Sequence, residues 1–78
     1  MIYSMYSIKD ELNGHTTPIP IASDELAKRY FKDQVLTNQT IQNSKEDFSI
    51  WKMGTFNTET GEYKNNNPQL IERAKNYE

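Results

Sequence analysis

The sequence predicts a small α+β fold, in which one amphipathic helix lies on one face of an antiparallel sheet of ββαββ order and a short C-terminal helix follows. Three observations carry that expectation. The segment "SDELAKRYFKDQVL" has a helix start signal followed by apolar residues at helical spacing. The segments "MIYSMYSI" and "EDFSIWKMGTFNTETGEY" alternate and are rich in aromatic and branched residues, as strands are. Turn residues separate them at "DELNG" and "NTETG".

Taken in order, Ile2, Tyr6 and Ile8 share one face of the first strand and Tyr3 and Met5 the other. Apolar residues on both faces suit a central strand. Asn13-Gly14 supplies the positive φ angles of a chain reversal. In "HTTPIPIA", Pro18 and Pro20 each remove a ladder donor, which confines this stretch to an edge strand or connector. Ser23 is a natural N-cap, and Asp24 and Glu25 place negative charge where the helix dipole favours it. Leu26 and Tyr30 form one row and Ala27, Phe31 and Val35 a second, merging into one apolar face. "NQTIQNSKE" reads as a polar connector with Ile41 tacked to the core. The third strand puts Phe48, Ile50 and Phe56 on one face and Trp51 and Met53 on the other. Gly54 interrupts it, which marks a bulge or a close backbone approach. Gly61 takes the left-handed position of the next turn, and Pro68 begins a short helix with Leu70, Ile71 and Ala74 on one side. The expected division is an α+β domain over 1–64 and a short helical tail over 65–78.

With 78 residues, 35% of them hydrophobic, the core is small and a net stability of roughly 3–5 kcal/mol is expected. There is no cysteine to staple it, and such domains often gain burial by self-association, so a homo-oligomer is expected. Nothing in "MIYSMYSIKDEL" resembles a signal peptide or a membrane span, so a soluble protein without membrane contact is expected. His15 has no second histidine or cysteine beside it, so neither metal nor cofactor is expected. The acidic pairs Asp10-Glu11 and Glu46-Asp47 read as solvated strand ends, which leaves no catalytic residue to name and argues against an enzyme.

Net charge is −2 and the pI about 5.3, against the basic stripe of a dedicated duplex binder. Single-strand binders need only a local basic groove with aromatic faces. The candidates for such contact are Lys28, Arg29 and Lys32 on the helix, with Lys45, Lys52 and Trp51 about the hairpin. Candidates for an oligomer or partner surface are Tyr3, Met5, Trp51, Met53 and Tyr63, on the face away from the helix.

"MIYSMYSIKD", "AKRYF" and "EDFSIWKMGTFNTETGEY" together resemble the small nonstructural proteins of gokushoviruses, microviruses with single-stranded DNA genomes. The matching positions are Tyr3, Tyr6 and Asp10, then Pro18 or Pro20, then Ala27, Arg29 and Phe31. They continue with Glu46, Asp47, Phe48, Gly54, Phe56, Thr60 and Gly61. The resemblance implies a phage accessory protein of the host bacterial cytoplasm. Its implied partners are single-stranded DNA or the viral replication complex, at the switch to single-stranded genome synthesis or packaging. It supplies no catalytic or binding residues.

Overall fold

The computed structural model describes residues 1–77. The elements run β1 (Ile2–Asp10), β2 (Gly14–His15), β3 (Ile19–Ile21), α1 (Asp24–Thr37), α2 (Gln39–Asn43), β4 (Phe48–Asn57) and β5 (Tyr63–Arg73). Short 3₁₀ turns occupy Lys45–Asp47 and Ala74–Tyr77. All five strands form one antiparallel sheet ordered β2-β1-β4-β5, with β3 beside β2 along the same edge of β1. One main helix on a small antiparallel sheet is the α+β fold that the sequence predicts.

Local chemistry sets most boundaries. Gly14 has φ +90° and lets β1 turn back into β2, while Asp10 accepts hydrogen bonds from the Leu12 N–H and the Asn13 amide within the turn. β3 tolerates Pro20 because it pairs on one side only, with Ser4, Met5 and Tyr6 of β1. The Ser23 hydroxyl accepts from the Leu26 N–H at 3.2 Å and starts α1. Asn38 adopts an extended conformation that ends α1, and its side chain accepts from the Thr40 N–H to cap α2. That second, short helix turns the connector inward and buries Ile41.

The core is one cluster of Tyr6, Ala27, Phe31, Val35, Ile41, Ile50 and Ala74, with Ile8, Ile21, Tyr30, Phe48, Ile71 and Tyr77 packed around it. Ala27, Phe31 and Val35 are fully buried at i, i+4 and i+8 of α1. The apolar face of α1 is narrower than the sequence suggests, since Leu26 is 44% exposed.

Two expectations are corrected. The segment from Pro68, read as a short helix, is the second half of β5, and only Ala74–Tyr77 closes as a 3₁₀ turn. Pro68 fits because the β4–β5 register jumps from Lys52↔Gln69 to Gly54↔Asn65, leaving it in a looped-out stretch at the sheet edge. The final turn still docks, with Ala74 buried and the Tyr77 ring edge-on to Phe31 at 6.3 Å.

The second correction concerns Phe56. Across β1 and β4 the register passes from Tyr6↔Lys52 to Met5↔Gly54, so Met53 is an extra residue. Such a bulge exchanges the two faces for everything beyond it. Phe48 and Ile50 therefore face α1, whereas Phe56 pairs with Tyr3 and Tyr63 on the opposite face. Gly54 sits beside the bulge, where a Cβ would run into the Lys64 carbonyl oxygen.

Candidate nucleic-acid interface

Because β1 has no bulge of its own, Tyr3, Met5, Ser7 and Lys9 alternate onto the face that α1 does not cover. Following each across the sheet gives four rows on that face. They are Lys9–Ser49–Arg73, Ser7–Trp51–Leu70, Met5–Gly54–Asn65 and Tyr3–Phe56–Tyr63. The rows divide the face into a cationic end and an aromatic end.

At the cationic end Trp51 is the central group. Its indole N–H donates to the Ser49 hydroxyl at 2.8 Å, which fixes the ring against the sheet. The Lys9 ammonium lies 5.6 Å from the ring centroid in a cation–π contact, and His15 meets the ring edge-on at 6.4 Å. His15 is held by a 2.6 Å hydrogen bond between its Nδ1 and the Ser7 hydroxyl. These contacts bury Ser7 and Ser49 and leave Trp51 half-buried. Arg73 is exposed and stands two strand spacings from Lys9, a separation of about 10 Å. Lys9 also reaches Glu11 at 3.7 Å, an exposed pair worth little and easily exchanged.

At the other end Tyr3 and Phe56 are half-buried and Tyr63 is 42% exposed. The β4–β5 turn closes this end. Gly61 takes φ +76°, and the Asn57 side chain accepts from the Glu59 N–H at 2.9 Å.

The geometry separates the cations expected to act together. Lys28, Arg29 and Lys32 are exposed on α1, on the side of the molecule away from Trp51. Lys45 is half-buried and donates to the Tyr77 carbonyl at 3.5 Å. Lys52 faces the helix, where its ammonium lies 3.3 Å from the Asp24 carboxylate. The Tyr6 hydroxyl donates to the same carboxylate at 2.5 Å. That hydrogen bond, helped by Lys52 and Lys28, holds the Asp24 carboxyl below its ordinary range. Burial first, and then Asp24, push the Tyr6 hydroxyl up to about 12. Tyr6, Asp24 and Lys52 thus tie the start of α1 to β1 and β4.

Of the residues picked from the sequence, the open face gathers Tyr3, Met5, Trp51 and Tyr63, with Met53 at the bulge beside them. It adds Lys9, His15, Phe56 and Arg73, which sequence reasoning missed. Lys9 was within reach, because it continues the alternation of Tyr3 and Met5. Among the described residues no group of three or more His, Cys, Asp or Glu side chains is placed to hold a metal ion. No helix among them is long and apolar enough to cross a membrane.

Residues 3–77 match the family described as Phage ORF5 protein. The chain belongs to the Phage ORF5 protein family. It is therefore a phage protein, and the match covers the fold from Tyr3 of β1 to Tyr77, including both ends of the open face. No curated protein and no solved structure matches the chain.

Proposed function

We propose that this phage protein is a nonstructural accessory of viral DNA replication that holds single-stranded DNA weakly across the open face of its sheet. It acts in the host cytoplasm and assists the switch to single-stranded genome synthesis or packaging. The resemblance to gokushovirus nonstructural proteins supports the role. The observation that carries the DNA contact is the Lys9–Ser49–Arg73 row beside Trp51, two cations flanking an aromatic ring on an uncovered sheet. A base of any identity can stack on an aromatic ring, and the cations meet the phosphates on either side. With net charge −2 the molecule has no long-range attraction for DNA, so binding is local and salt-sensitive.

The test is fluorescence anisotropy of a labelled oligothymidine at low salt. Two phosphate contacts give a slope of log affinity against log salt of about −1.4, and Lys9→Ala or Arg73→Ala each bring it nearer zero by about 0.7. Trp51→Ala costs about 1–3 kcal/mol, whereas alanine at Lys28, Arg29 and Lys32 together changes affinity less than about twofold. Absence of binding at high micromolar protein, or loss of affinity in the helix variant alone, rejects this interface.

A second reading concerns the other end of the same face. Tyr3, Met5, Phe56 and Tyr63 form an aromatic patch with no cation in its two rows, which suits a protein surface better than a phosphate chain. In this reading the patch builds a homo-oligomer or docks a viral or host protein. A stable monomer by light scattering at ~100 μM, well above micromolar contacts, removes self-association.

A further inference from the structure

Between α1 and the β1 edge of the sheet lies a cavity of about 270 Å³, on the side of the sheet away from Trp51. Its apolar floor is formed by Ile8, Ile41, Phe48 and Ile50, and Tyr30 stands in its wall. The rim is built by three separate elements. Thr17 comes from the β2–β3 connection, Gln34 from α1 and Thr40 from α2. Among the described residues no charged side chain lines it.

The cavity has a structural cause. α1 seats Phe31 and Val35 on the middle of the sheet, while Asn38 breaks the helix and swings Ile41 down beyond it. The β2–β3 connection, held extended by Pro18, passes the edge without a large side chain to fill the gap. Thr16 and Asn38 already use their side-chain oxygens on the N–H groups of Ile8 and Thr40. Among the described residues no such partner engages the side chains of Thr17, Tyr30, Gln34 or Thr40, which line the cavity with hydrogen-bonding groups left available to a guest.

We propose that this cavity is a binding site for a small, neutral, largely aromatic molecule carrying one or two hydrogen-bonding groups. An apolar floor with a few convergent polar groups is the usual make-up of a small-molecule site. The volume exceeds the roughly 150 Å³ that holds a benzene ring, and so admits a bicyclic one. Charge is disfavoured, because an ion entering here gives up part of its hydration and finds no partner of opposite sign. The ring lies between Phe48 and Tyr30, and its polar atom meets Gln34 or one of the threonine hydroxyls. The site stands apart from the DNA-binding face, so neither proposal depends on the other.

The test is a titration of the full chain with indole, followed by NMR of the isoleucine methyl groups and of the aromatic side chains. Saturable shifts at Ile8, Ile41 and Ile50 are expected, with a dissociation constant below about 1 mM. Indole-3-carboxylate binds at least tenfold more weakly. Thr40→Phe and Thr17→Phe, at opposite sides of an exposed rim, keep the fold and weaken indole at least fivefold. Three results would each overturn the site. They are no saturable shift, shifts concentrated at Tyr3, Trp51 and Phe56, or equal affinity for the neutral and charged compounds.

Discussion

Tyr6, Asp24 and Lys52 show how single residues hold this small domain together. A hydroxyl and an ammonium converge on one carboxylate at the first turn of α1, where the helix dipole adds to the attraction. Tyr6→Phe keeps the volume but removes a hydrogen bond to a charged group, so it should cost about 1.5–3 kcal/mol in urea unfolding. The pH dependence follows from the same contacts. Asp24 has a lowered pKa when folded, so its contribution is complete above the ordinary carboxylate range of about 4 and is lost as the pH falls below it. Asp24→Asn should flatten that acid limb of the urea midpoint. Tyr6 has a raised pKa, so its contribution is complete below pH 10 and disappears as the pH rises toward 12. Tyr77 is also raised, by burial and then by Glu72, and steepens the same alkaline limb. Removing Tyr6 should therefore shrink that limb without abolishing it.

At the scale of elements, β4 and β5 set what the open face carries. Gly54→Ala places a methyl group against the Lys64 carbonyl, and the backbone there has no flexible end that can yield. A loss of about 1–3 kcal/mol is expected, read as a lower urea midpoint with an unchanged slope. Phe31→Ala empties the centre of the helix–sheet contact and should cost about 3–5 kcal/mol, enough to unfold a domain of this size. The elements legible in the sequence were those with a local signal. Ser23 marked the start of α1, Ala27, Phe31 and Val35 marked its buried face, and Pro18 and Pro20 marked an edge. The misread parts depend on pairing across the sheet. Leu70, Ile71 and Ala74 have spacings that also fit a helix, and Pro68 looks like a helix start until a register jump gives it an edge position. Gly54 was a visible sign of a bulge or close approach. That Met53 would be the extra residue, sending Phe56 to the other face, follows only from its pairing with β1. Lys9 and Arg73 lie far apart in the chain, and only the sheet brings them beside Trp51.

For the whole molecule, the governing fact is asymmetry between the two sides of the sheet. The shortest dimension is 16 Å, which is one helix layer on one sheet layer and leaves no room for a third. One side is core and the other is exposed to whatever the protein meets. The charge pattern supports a local role over a long-range one, since the cations on α1 and on the open face point in different directions. If self-association uses the aromatic end, it leaves Lys9, Trp51 and Arg73 free and multiplies them, raising avidity without a new contact. Light scattering with and without oligonucleotide should then show mass increasing with protein concentration in both cases. The proposed seat of DNA is the uncovered sheet face, and Trp51, the one tryptophan in the chain, reports on that face directly. Its emission should be quenched saturably by oligothymidine at low salt and recover as salt is added. Emission that stays constant while a labelled oligonucleotide shows binding would place the DNA elsewhere on the molecule and rule out the open face as its seat.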